Sequence, residues 1–70
     1  MEGKGTYKLI EVVGTSEKSW EDAAKNAIAT ASKTLKNLRI AEVMEQDIKI
    51  ENGVVAQYRT KLKLSFKFED

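Results

Sequence analysis

No cysteine and no histidine occur in this 70-residue chain. Without cysteine no disulfide can staple a small fold, and the redox compartment leaves no mark. Without histidine the commonest general base and the commonest transition-metal ligand are both missing. Serines stand at Ser16, Ser19, Ser32 and Ser65 with no base of the usual type beside them in sequence, so nucleophilic catalysis has no constellation to use. An enzyme is not expected.

An excess of one charge is lacking too. Twelve basic and eleven acidic residues leave a formal charge of +1, whereas a strongly electrostatic nucleic-acid binder shows a clear basic surplus. No apolar run approaches the roughly 20 residues that cross a bilayer. The opening MEGKGTYK has no apolar signal-peptide core. The expectation is a cytoplasmic protein with neither a nucleic-acid nor a membrane partner. Gly3 and Gly5 spell a G-x-G, but in a frayed N-terminus and not in a phosphate loop.

The chain is one domain at most. At this size it hides only roughly 60% of its unfolded surface when folding alone. With disulfides excluded, association or a hard cation held by oxygens remains to stabilise it.

What is present reads as β-α-β-β. Thr6 to Val13 is rich in β-branched and aromatic residues and predicts a strand. Tyr7, Leu9 and Val13 fall on one face and Ile10 and Val12 on the other, so both faces ask for cover. Gly14, Thr15 and Ser16 are expected to break it. Ser19 heads S-W-E-D with capping-box spacing, and Glu21 and Asp22 suit a helix N-terminus. From Trp20 the apolar positions run through Ala23, Ala24, Ala27, Ile28, Ala31, Leu35 and Leu38, which is helical spacing. Trp20 reads as a core residue, and Lys33 and Lys36 as cations near the helix C-terminus.

A second strand, about Arg39 to Ile50, alternates poorly. Ala41 and Val43 share one face, Ile40, Met44, Ile48 and Ile50 the other, with a bulge near Glu45. Asn52-Gly53 is a strong hairpin signal, because a type I′ turn needs positive φ at both central residues. The third strand sets Tyr58, Thr60, Leu62, Leu64, Phe66 and Phe68 against Gln57, Arg59, Lys61, Lys63 and Lys67. Its basic face lacks the interleaved aromatics of a single-strand binder. Pairing with Glu42, Glu45, Asp47 and Glu51 on the neighbouring strand is the expected account.

The strand TYKLIEVVGTS, the helix opening SEKSWEDAAKNAI, the KTLKNLRIAEV junction and the ending YRTKLKLSFKFED together resemble the dodecins, over Tyr7 to Asp70. The resemblance implies an α+β fold over residues 1–70, an antiparallel three-stranded sheet wrapped around one helix, assembled as a hollow homododecamer. Most dodecins bind flavins in pairs at a two-fold interface. A tryptophan at the start of the second strand stacks on the ring, and a glutamine in the third strand bonds its amide edge. The tryptophan's place falls at Ile40 (RIAEV against W-x-E-V) and the glutamine's at Arg59 (YRT against YQ). Isoleucine offers no ring, and arginine has five donors and no acceptor for the flavin N–H. A branch described as calcium dodecins is similar in having a branched aliphatic at the first position, arginine after the tyrosine and the run EQD, here Glu45-Gln46-Asp47.

The ligand-binding candidates are therefore Ile40, Arg59, Gln57 and Gln46, and the metal candidates Glu45 and Asp47. Calcium takes six to eight oxygens. The spacing here is not that of an EF-hand loop, whose turn glycine is also missing. Three functions compete. The first is a storage or buffering shell for a small ligand or cation, calcium included, with the flavin pocket altered. The second is a riboflavin or FMN binder in which Arg59 holds the ring or a phosphate in another way. The third is a scaffold that presents its surface to a partner.

Overall fold

A computed structural model describes residues 5–67 and contains β1 (Tyr7–Ser16), α1 (Trp20–Ala31), β2 (Leu38–Glu51) and β3 (Val54–Lys67). Phe68 and Gly3 lie outside the described residues. The β-α-β-β order and the α+β class are as expected. The sheet runs β1-β3-β2 with both pairings antiparallel, so the last strand is the central one.

The β2–β3 hairpin turns at Asn52 (φ 53) and Gly53 (φ 78), the two positive-φ positions that a type I′ turn requires. Alternation on β3 holds as the sequence predicts. Thr60, Leu62 and Leu64 are buried beneath α1, while Arg59, Lys61 and Lys63 face the other way. Ala23 and Ala27 complete the core, with Ile10, Val12, Ala24, Ile28, Ala31 and Leu38 packed around it. Leu62 and Leu64, each 1% exposed, contribute about 1.5–3 kcal/mol apiece. That is a thin core for one chain.

Four local expectations are corrected. β1 does not break at Gly14 but runs through Thr15 to Ser16. Gly14 is buried where β1 crosses α1. A Cβ there would overlap the Ala23 carbonyl oxygen and stand 2.8 Å from the Ala27 Cβ, so the glycine permits close approach and does not end the strand.

The helix is shorter than its apolar stripe. It begins as capped: Ser19 Oγ accepts from the Asp22 amide at 2.9 Å. It ends at Ala31, after which the Leu35 amide donates to the Ala31 carbonyl in a single closing turn. Asn37, at φ 64, turns the chain into β2, and Leu38 enters β2 as a core residue. Lys33 and Lys36 consequently lie beyond the helix, whose last turn holds no basic residue.

β2 carries register shifts between Leu38 and Ile40, Val43 and Glu45, and Lys49 and Ile50. The middle one confirms the bulge expected near Glu45 and changes the faces. Val43 opposes buried Leu62, but Glu45 opposes Lys61 on the other side, because Met44 is the extra residue. Ile48, opposite Tyr58, therefore shares the helix side and not the face of Ile40.

Trp20 is half-buried at the rim, not in the core. Its ring stands edge-on to Tyr58 at 5.2 Å between centroids, and its Nε1–H donates to the Asp47 carbonyl at 3.0 Å.

Candidate functional site

The sheet face turned away from the helix gathers the chemistry. Its register follows from β3, where Gln57, Arg59, Lys61, Lys63 and Ser65 alternate with the buried row. Opposite them on β2 stand Lys49, Asp47, Glu45, Glu42 and Ile40. On β1 the same row meets Thr15, Val13, Glu11 and Leu9. The middle of this face is thus a lattice of opposite charges, as cross-strand pairing predicts. Its end is apolar: Leu9 and Ile40 flank Ser65, with Tyr7 beyond.

Arg59 and Asp47 form the tightest element of the lattice. Arg59 Nε and Nη2 donate to the two oxygens of the Asp47 carboxylate at 2.7 and 2.8 Å. The guanidinium holds the Asp47 carboxyl below the usual carboxylate range, chiefly through these hydrogen bonds, and the same bonds raise Arg59 further. Both side chains are about half exposed, so the pair fixes geometry more than it stabilises the fold. Lys61, opposite Glu45, turns its ammonium to Glu11 across the sheet at 3.6 Å. Val13, Glu45, Asp47, Arg59 and Lys61 line one cleft of about 190 Å³.

The six predicted residues are not all brought together. Arg59, Asp47 and Glu45 share the cleft, and Gln57 follows on the same face, paired with Lys49. Gln46 opposes Thr60 and lies on the helix side of the sheet, away from the carboxylates that flank it. Ile40, 65% exposed, opposes Ser65. That is six residues along β3 from Arg59, roughly 20 Å at 3.3–3.4 Å per residue. One chain does not place Ile40 and Arg59 around a single small ligand.

The cleft supplies carboxylate oxygens and guanidinium or ammonium donors, which suits a hard cation or an anion. Among the described residues, no group of three or more acidic side chains gathers in a metal-holding cluster. Ser16 does meet a carboxylate, donating to Asp22 at 2.7 Å, but its oxygen also accepts from the Lys18 amide. The pair ties the end of β1 to the helix start. Sequence reasoning did not find Trp20 as a partner of Asp47. The signal lay in the turn before Trp20, which brings the helix start back over the β2–β3 hairpin.

No helix among the described residues is long and apolar enough to cross a membrane. The dodecin family model matches residues 6–69. Calcium dodecin from Mycobacterium tuberculosis is 43% identical over 61 residues, covering 87% of this chain and 86% of that one. Its crystal structure, described as that of a calcium-chelating antigen with a novel calcium-binding site, has a TM-score of 0.82 at 42% identity and 91% coverage of both chains. Dodecin from Thermus thermophilus is 41% identical over 64 residues, 91% of this chain and 93% of that one. The structure of dodecin from Streptomyces coelicolor has a TM-score of 0.89 at 43% identity and covers 93% of each chain.

Proposed function

The chain belongs to the dodecin family, and from that membership we propose that it forms a hollow homododecamer that holds a small ligand or a cation, calcium foremost, at a flavin site that has been altered. The observation that carries the reading is how much apolar surface the single chain leaves uncovered. Ten large apolar side chains among the described residues, from Tyr7 and Leu9 through Ile40 to Val54 and Val55, are 37–67% exposed. A core of two leucines and two alanines does not balance that surface. Copies of the chain packed on these faces bury it.

The change of ligand rests on two side chains. Ile40 offers no aromatic plane where the resemblance places a stacking tryptophan. Arg59, in the glutamine's place, spends two donors on Asp47. A carboxylate-bearing cleft and 43% identity to a calcium dodecin favour a cation over a flavin. Glu45 and Asp47 are its proposed ligands, with Gln57 beside them.

Native mass spectrometry of the purified protein tests the assembly. Twelve chains of 7.9 kDa should appear together near 95 kDa, and a single-chain species at micromolar concentration refutes the shell. An absorbance spectrum of the same sample tests the ligand. A flavin band between about 350 and 500 nm would favour a riboflavin or FMN store, whereas a colourless sample that takes up calcium in calorimetry supports the cation.

A further inference from the structure

The Asp47 carboxylate already holds a cation, and that cation belongs to the protein. Both of its oxygens accept N–H bonds from Arg59 in the fork geometry that guanidinium and carboxylate share. An entering metal ion meets a positive charge seated where it would bind. We infer that Arg59 is an internal competitor that sets the cation affinity of this cleft, so that calcium gains Asp47 only by exchange with the guanidinium. The inference rests on the cation reading of the cleft given above.

Three features of the geometry support exchange over simple addition. Calcium needs six to eight oxygens at about 2.3–2.6 Å, and a carboxylate gripped at both oxygens cannot also chelate an ion in its plane. The carboxylate is the fixed member of the pair: Asp47 lies within the β2 ladder, and its carbonyl accepts from the Trp20 indole at 3.0 Å. Arg59 is the movable member, since its side chain is 46% exposed on a long flexible stem. The neighbouring cation is engaged elsewhere, because Lys61 reaches Glu11 and not Asp47. Arg59 is thus a specificity-determining residue that weakens the site for any ion unable to displace a guanidinium.

Calorimetric titration of the assembled protein with calcium chloride tests this, beside three variants checked for assembly by native mass spectrometry. Arg59→Gln should bind about fivefold more tightly, the scale of one exposed ion pair removed. Arg59→Lys, which keeps the charge but loses the fork, should fall between. Lys61→Gln, which removes an equal charge from the same face, should gain less than twofold. In the unaltered protein the Arg59 Nε–H resonance should shift as calcium saturates. Equal affinity of Arg59→Gln and the unaltered protein overturns the inference and leaves the calcium reading standing. So does an equal gain from Lys61→Gln, or an Arg59 resonance that stays put. Failure of every form to bind calcium overturns both.

Discussion

Gly14 of β1 and Ala23 of α1 touch backbone to backbone, with no room between them for a methyl group. This contact sets the distance between helix and sheet, and Ala27, stacked one turn on, keeps it short. The alanine-rich stripe of α1 and the glycine of β1 are two halves of one fit. Gly14→Ala should therefore push α1 off the sheet and destabilise the protein by about 3 kcal/mol, at the upper end of overpacking costs. Urea unfolding followed by circular dichroism measures it, and an unchanged midpoint would show that the helix yields without cost.

Thr60 is fully buried, and its Oγ1 donates to the Trp20 carbonyl at 2.9 Å. It joins the helix start to the central strand. Thr60→Val keeps the shape and removes the donor, so a loss of about 1 kcal/mol is expected. The same unfolding assay reads it, and a valine variant as stable as the parent would mean that the bond contributes nothing net.

Asp47 should titrate below a free aspartate, whose usual value is about 3.9. Arg59 depresses its pKa in the folded state. The pair's contribution is therefore present above the unfolded value and is lost as pH falls through the lower folded value. Carbon-detected NMR of the Asp47 carboxyl gives the midpoint directly. Arg59→Gln should raise it towards the free value, and an identical midpoint in both proteins would contradict the pairing.

Flavin should bind weakly to the unaltered protein and at least a hundredfold better to Ile40→Trp combined with Arg59→Gln. Stacking is worth roughly 1–3 kcal/mol per aromatic platform, and glutamine removes an unpaired flavin N–H at a similar scale. Ile40 is 65% exposed, so tryptophan enters there without disturbing the core. Because Ile40 and Arg59 sit at opposite ends of one chain's sheet face, the gain should appear only in the assembled shell. Flavin fluorescence quenching against protein concentration tests this, and tight binding by the unaltered chain would mean that these two positions no longer define the site.

Much of the architecture is legible in local signals. Ser19 caps the helix, Asn52-Gly53 turns the hairpin, and β3 alternates without interruption. What misleads is longer in range. Leu35 and Leu38 continue a helical spacing because they feed the same core from a closing turn and from β2, and periodicity does not register the change of element. Gly14 has the composition of a break but the role of a contact, which only the partner helix reveals. The extra residue at Met44 exchanges the faces of everything after it, so Gln46 and Asp47 are sorted to opposite sides of the sheet by a bulge that the sequence locates only near Glu45. The opposite charges of β2 and β3 are visible in sequence, but the choice of Asp47 for Arg59 follows from register.

The strand order also fixes a timetable. β2 and β3 are joined by a two-residue turn and can zip together in about 1–10 μs, whereas β1 reaches β3 only after the helix and the whole hairpin have been spanned. The first strand made on the ribosome is then the last to find its place. Leu9 and Tyr7 arrive with it, and they complete the apolar end around Ile40. A half-folded chain consequently lacks the sticky patch that its finished form presents, so subunits should meet only after each has folded through. Pulsed hydrogen exchange during refolding would see the hairpin amides protected before those of β1, and assembly later than both.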